Sequence, residues 1–136
     1  MSKTAFSSPN HGERRLGPPD MIIIHYTGME TSAAARTRLC DPAAEVSAHY
    51  LIDVDGTIDQ LVDEARRAWH AGVSEWDGET DINSRSIGIE LVNKGAGSDY
   101  HPFPAAQMAA LIDLITEVVA RHDIAPKDVV GHEDIV

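Results

Sequence analysis

Three consecutive isoleucines followed by a histidine, in the stretch MIIIHYTG from Met21 to Gly28, constrain this chain more than any other feature. A short β-branched apolar run suits a strand buried on both faces better than an amphipathic one. His25 falls where that strand ends. A histidine at the tip of a buried strand is held firmly by the sheet yet can face a cleft, as a metal ligand or general base must. Taken alone, it reads more simply as a satisfied core histidine.

The remaining pattern gives that strand its neighbours. Residues 1–20 read as an extended arm with turns at SSPN and LGPPD, because proline blocks helix and disfavours it in the preceding residue. Thr31 or Ser32 can cap an alanine-rich helix from about Ser32 to Leu39, with Pro42 as a stop. In AHYLIDVDGTIDQLV, Tyr50, Ile52 and Val54 alternate with His49, Leu51 and Asp53, and Asp55-Gly56 offers the positive φ angles of a tight hairpin. The pattern weakens from Asp63 to Arg85, where EWDGETD has the composition of a solvated loop.

SIGIELVN restores a strand, with Ile87, Ile89 and Leu91 on one side and Gly88, Glu90 and Val92 on the other. An ionised carboxylate taken out of water is costly unless paired, so Glu90 points either to a cleft or to a solvated sheet face. The residues alone leave both open. KGAGSDYHPFP lacks a GK[ST] ending and reads as a plain connection. Pro104 suits the first turn of a helix in which Met108, Leu111, Ile112, Ile115, Val118 and Val119 form one apolar stripe to pack on the sheet. DVVGH then gives a short strand ending at His132, which repeats the placement of His25.

Composition narrows the function classes. With 136 residues, 43% of them apolar, the chain fits one domain with a real core. Acidic residues outnumber basic ones 22 to 11, and a net charge of −11 argues against nucleic acid or an anionic membrane as the main partner. Cys40 has no CxxC partner and reads as a small apolar group. The first twenty residues lack the apolar centre of a secretory signal, and no apolar stretch approaches the ~20 residues of a membrane span. The compartment is therefore cytoplasmic by default, or periplasmic if a targeting segment has been removed; the oligomeric state is unspecified.

Two strand-tip histidines and one strand acid could converge at one edge of a single sheet. A resemblance sharpens this: IIIHYTGM, VSAHYLIDVDGTI, RAWHAG, SRSIGIELVN and VVGHEDI are similar, in that order, to motifs of the zinc-dependent N-acetylmuramoyl-L-alanine amidases. These form the type-2 amidase family, related to phage lysozyme amidases and peptidoglycan recognition proteins. The similarity runs from about Ser8 to the C-terminus, and the family is bacterial in its cell-wall chemistry.

The resemblance implies an α/β fold, a mixed central β-sheet flanked by helices, with residues 1–20 as an arm and 21–136 as the catalytic domain. It implies that His25 and His132 bind zinc (Zn2+), that Glu90 is the catalytic acid, and that His70 and Asn83 line the substrate groove. It also implies a hydrolase that cuts the bond between N-acetylmuramic acid and L-alanine of peptidoglycan or muropeptides, with zinc and Glu90 activating water. His49 and His101 keep a structural or surface reading.

One departure bears on these expectations. The family carries a third zinc ligand, mostly aspartate, and an assisting lysine beyond the second histidine, whereas this sequence stops at Val136. It reads as C-terminally incomplete, and this form is expected to hold zinc poorly and to be nearly inactive. Two rival functions stay open: a noncatalytic peptidoglycan-binding module, and an iron oxygenase built on two histidines and a carboxylate.

Overall fold

A computed structural model describes residues 3–94 and 102–136. Residues 95–101, which hold most of the expected connection and His101, lie outside the described residues. The chain forms β1 (Lys3–Ala5), β2 (His11–Glu13), β3 (Met21–Tyr26), α1 (Ser32–Leu39), β4 (Tyr50–Ile52) and β5 (Ile58–Gln60). It continues through β6 (Arg66–Ala68), α2 (Ile82–Arg85), β7 (Ser86–Leu91), α3 (Ala105–His122) and β8 (Val129–Gly131). A short 3-10 turn, His132–Asp134, follows the last strand.

Six strands make one mixed sheet in the order β1-β5-β4-β7-β3-β8, in which only β4 and β5 pair antiparallel. The isoleucine strand β3 sits between β7 and β8, and Met21, Ile22 and Ile23 are fully buried, as an all-apolar run demands. Inside the arm, β1 extends the sheet edge beside β5, and β2 pairs with β6 in a separate two-stranded ribbon. Arg14, which follows β2, donates to the backbone carbonyls of Glu64, Ser84 and Ser86, so the arm is bonded into the body of the domain.

One face of the sheet is apolar. Ile22, Tyr50, Ile52, Ile87 and Ile89 pack there against Leu111, Leu114 and Val118 of α3. Burying one such aliphatic side chain contributes about 1.5–3 kcal/mol, which makes this layer the main support of the sheet. Gln107, fully buried in α3, donates to the carbonyls of Ile52 and Val92, tying helix to strands. At the far end Glu64 accepts from the Tyr50 hydroxyl, from Arg121 through both oxygens and from His122, which clamps the last turn of α3.

Several local expectations are corrected. Ile112 is 63% exposed, because the helical face that meets the sheet runs through Gln107, Ala110, Leu111, Leu114 and Val118; Leu114 belongs in the stripe and Ile112 does not. Pro104 caps α3 instead of entering its first turn. The β4–β5 loop spans Asp53 to Thr57, and only Gly56 has a positive φ, of 91°. A Cβ there would also lie 2.9 Å from the Ala106 carbonyl oxygen, so the loop's approach to α3 requires glycine. The weakly patterned stretch Asp63–Arg85 holds β6 and α2, and Trp76 within EWDGETD donates its ring N–H to Asp128. Among the described residues no helix is long and apolar enough to cross a membrane.

Candidate active site

The parallel register of β3 and β7 aligns Met21 with Ser86, Ile23 with Gly88 and His25 with Glu90. Side chains alternate along a strand, so these six share the face turned away from α3. His25 and Glu90 therefore stand side by side at the end of the sheet. On the other flank of β3, β8 pairs Ile24 with Gly131, and the 3-10 turn that follows brings the His132 ring to 4.7 Å from the His25 ring, centroid to centroid.

His25, His70, Glu90 and His132 open into one cleft of about 230 Å³, whose rim includes Tyr26, Met29, Arg38 and Trp69. The two strand-tip histidines and the strand acid are thus brought together. Burial, reinforced by His132, pulls the His25 pKa down to about 3, so its imidazole is neutral. Burial likewise holds His70 well below the ordinary histidine value. Burial alone raises Glu90 to about 7, and its Oε2 is buried with no hydrogen-bond partner among the described residues.

His70 sits beneath His25 as well as on the cleft wall. Its Nδ1 is 2.9 Å from His25 Nε2, and its Nε2 is 3.0 Å from Ser86 Oγ. The ring lies against Gly88, where an added Cβ would come within 2.5 Å of His70 Cγ. Asn83 takes a different place from the one the resemblance implies. Its Oδ1 accepts from the backbone N–H of His70 at 3.0 Å and of Ala71 at 2.8 Å, so it braces this segment from behind and is absent from the cleft lining. Two backbone donors that would otherwise go unsatisfied are the physical reason.

His49 is fully buried and structural: its Nδ1 accepts from Gly88 N–H and its Nε2 donates to the Arg66 carbonyl. The sequence reading overlooked Ser86 and Gly88. Gly88 carried a usable signal, since glycine inside a strand often marks a close approach of another group. Ser86 carried none.

A divalent cation would find in this cleft two neighbouring imidazoles, with Glu90 opening into the same cleft. Neutral imidazole is the form in which histidine ligates zinc, so the pair fits that metal's donor chemistry. Among the described residues no group of three or more His, Cys, Asp or Glu side chains converges as a metal cage.

Comparison with known proteins gives a consistent result. Residues 15–136 match the family described as N-acetylmuramoyl-L-alanine amidase. The chain is 43% identical over 127 residues to N-acetylmuramoyl-L-alanine amidase AmiD of Escherichia coli K12, a match that spans 85% of this chain and 45% of AmiD. It is 44% identical over 145 residues to 1,6-anhydro-N-acetylmuramyl-L-alanine amidase AmpD of Haemophilus influenzae, spanning 92% of this chain and 77% of AmpD. The structure of E. coli AmiD in complex with anhydro-N-acetylmuramic acid-L-Ala-D-gamma-Glu-L-Lys superposes with a TM-score of 0.80 at 39% identity, covering 89% of this chain and 51% of that one.

Proposed function

The chain belongs to the N-acetylmuramoyl-L-alanine amidase family, and from that premise we propose that it hydrolyses the amide joining N-acetylmuramic acid to L-alanine in peptidoglycan or muropeptides, with zinc between His25 and His132. The catalytic unit in this reading is residues 21–136, with residues 1–20 as its arm. The observation that carries it is Glu90: a carboxylate aligned with His25 in the cleft, its Oε2 buried and without a hydrogen-bond partner among the described residues, and its pKa raised to about 7.

A general base works best when its pKa lies near the working pH. Glu90 takes a proton from the attacking water as the new C–O bond forms, and returns it to the alanine nitrogen as the C–N bond breaks. Zinc, when bound, lowers the pKa of water and polarises a carbonyl. His25 enters the reaction neutral, able to offer a nitrogen lone pair without first losing a proton.

Arg38 supports a particular kind of substrate. Among the described residues the other Arg and Lys side chains with known surroundings are bonded to carboxylates, backbone carbonyls or His11. Arg38 has no such partner among the described residues and lines the cleft of a chain whose net charge is −11. A γ-linked glutamate keeps its α-carboxylate free one residue beyond the scissile amide, at ~3.8 Å of chain per residue, and Arg38 is suited to bind it.

The test is incubation of the zinc-supplied protein with an anhydro-muropeptide, separating products by chromatography and identifying them by mass. Release of a stem peptide with a free L-alanine amine is expected, slowly where His25 and His132 alone hold the zinc. Saturable binding without release would instead support a noncatalytic binding module.

A further inference from the structure

Hydrogen-bond direction around the cleft determines more than which residues are present. Ser86 Oγ lies 2.7 Å from the Ile82 carbonyl, and a carbonyl only accepts, so the single hydroxyl proton is donated there. Ser86 must then accept at its other contact, which puts the His70 proton on Nε2 and leaves Nδ1 bare. Bare Nδ1 accepts from His25 Nε2 at 2.9 Å, which puts the His25 proton on Nε2 as well. His25 Nδ1 is left without a proton.

The same segment acts on the second histidine. His132 Nε2 lies 3.1 Å from the Ala71 carbonyl oxygen, so it carries a proton and donates there, the same nitrogen as in His25. Neighbouring residues 70 and 71 thus receive the N–H groups of both cleft histidines. Their own backbone N–H groups are both held by Asn83 Oδ1, and the glycine at 88 leaves the space that the His70 ring fills.

We propose that His70 and Ala71, braced by Asn83 and Ser86, form a tautomer clamp that fixes His25 and His132 as Nε2–H imidazoles and reserves their Nδ1 atoms for the cleft. This rests on the functional reading only for its consequence, that Nδ1 of each is the metal-binding atom. His70 and Asn83 are positioning residues in this account. Groups that hold the second nitrogen of a metal-binding histidine set its orientation and tautomer, and their loss typically weakens metal binding ~10–100-fold.

The test reads tautomers directly, from imidazole nitrogen chemical shifts in long-range proton–nitrogen correlation spectra of the zinc-free protein near neutral pH. Nε2–H is expected at His25, His70 and His132. Ser86→Ala should shift the nitrogens of both His70 and His25 toward a tautomer mixture, and should raise the zinc dissociation constant ~10–100-fold in competition with a chromophoric chelator. Ser86→Thr, which keeps the hydroxyl, should retain the wild-type pattern. A proton on Nδ1 of His25 or His132 in the wild type would overturn the clamp, and so would a folded Ser86→Ala variant with unchanged His25 shifts and zinc affinity. The wild-type spectrum decides the tautomers even if a variant fails to fold. Because it needs neither metal nor substrate, failure of the amidase reading would leave its result standing.

Discussion

Glu90 faces His25 directly across the β7–β3 pairing, and its Oε2 is sealed from solvent with no hydrogen-bond partner among the described residues. A carboxylate so placed is costly to keep ionised unless something in the cleft uses it. Glu90→Gln preserves shape and removes only the proton acceptor. It is expected to lower kcat for muropeptide hydrolysis by ~10²–10⁴-fold while leaving zinc content by elemental analysis unchanged. Wild-type turnover in this variant would remove Glu90 from the mechanism.

The same carboxyl predicts opposite pH trends for activity and stability. Its folded pKa of about 7 lies above the ordinary value of 4.5, so between these the folded state holds a proton the unfolded chain has released. This contribution to stability is fully present below 4.5, declines as pH rises to about 7, and is flat beyond. Buried His25, His49 and His70, held below the ordinary histidine value, push the other way up to about 6.5, so the Glu90 contribution is read as a difference: in thermal melting of the zinc-free protein the wild type should gain less stability across this window than Glu90→Gln. The activity profile should rise over its upper part, as the base becomes available.

Arg38→Ala tests the substrate assignment. Loss of a charge-assisted bond worth about 1.5–3 kcal/mol should raise KM about 10–100-fold for a stem with a free glutamyl α-carboxylate. A substrate amidated at that carboxylate should be nearly indifferent to the substitution. Equal losses on both substrates, measured side by side, would show that Arg38 does not read the carboxylate.

Gly88→Ala tests the close packing under His70. The new methyl would lie 2.5 Å from the ring carbon, and the ring has neighbours on both nitrogens that resist its moving. Overpacking of this kind costs about 1–3 kcal/mol, readable as a lower midpoint in urea denaturation. An unchanged midpoint would mean that the ring has room the structure does not reveal.

The corrected face of α3 makes a paired stability prediction. Leu114→Ala empties a fully buried position and should cost about 2–5 kcal/mol. Ile112→Lys alters a largely exposed position and should stay within about 0.5 kcal/mol. Chemical denaturation of both variants checks the helix's orientation without reference to function.

The central strands were legible because β-branched runs and two-residue alternation record burial directly: MIIIHY and SIGIEL are β3 and β7. Helix α1 was equally readable from its cap and its proline, and Thr31 does accept from Ala34 N–H. Strands β2 and β6 were not, since three residues are too few to show a period and each finds its partner far away in the chain. In the site, residue types and motif order named the histidines and the acid. They could not reveal that Asn83 turns to the backbone or that Ser86 orients His70, because one side chain bonded to a distant group leaves no periodic trace. Ile112 was misplaced for another reason: an apolar residue at the edge of a helical stripe has no mark that distinguishes rim from core.

The position of β3 between β7 and β8 carries a kinetic consequence. Residues 25, 70, 90 and 132 come from separate stretches, so no local hairpin or helix brings any two of them together, and long loops must close before they meet. A chain emerging during synthesis holds His25 for most of its length before His132 follows. Refolding should therefore be slow for a domain of this size, and the cleft should arise in one late phase together with the β3–β8 pairing, while α1 and the β4–β5 hairpin form early and without it.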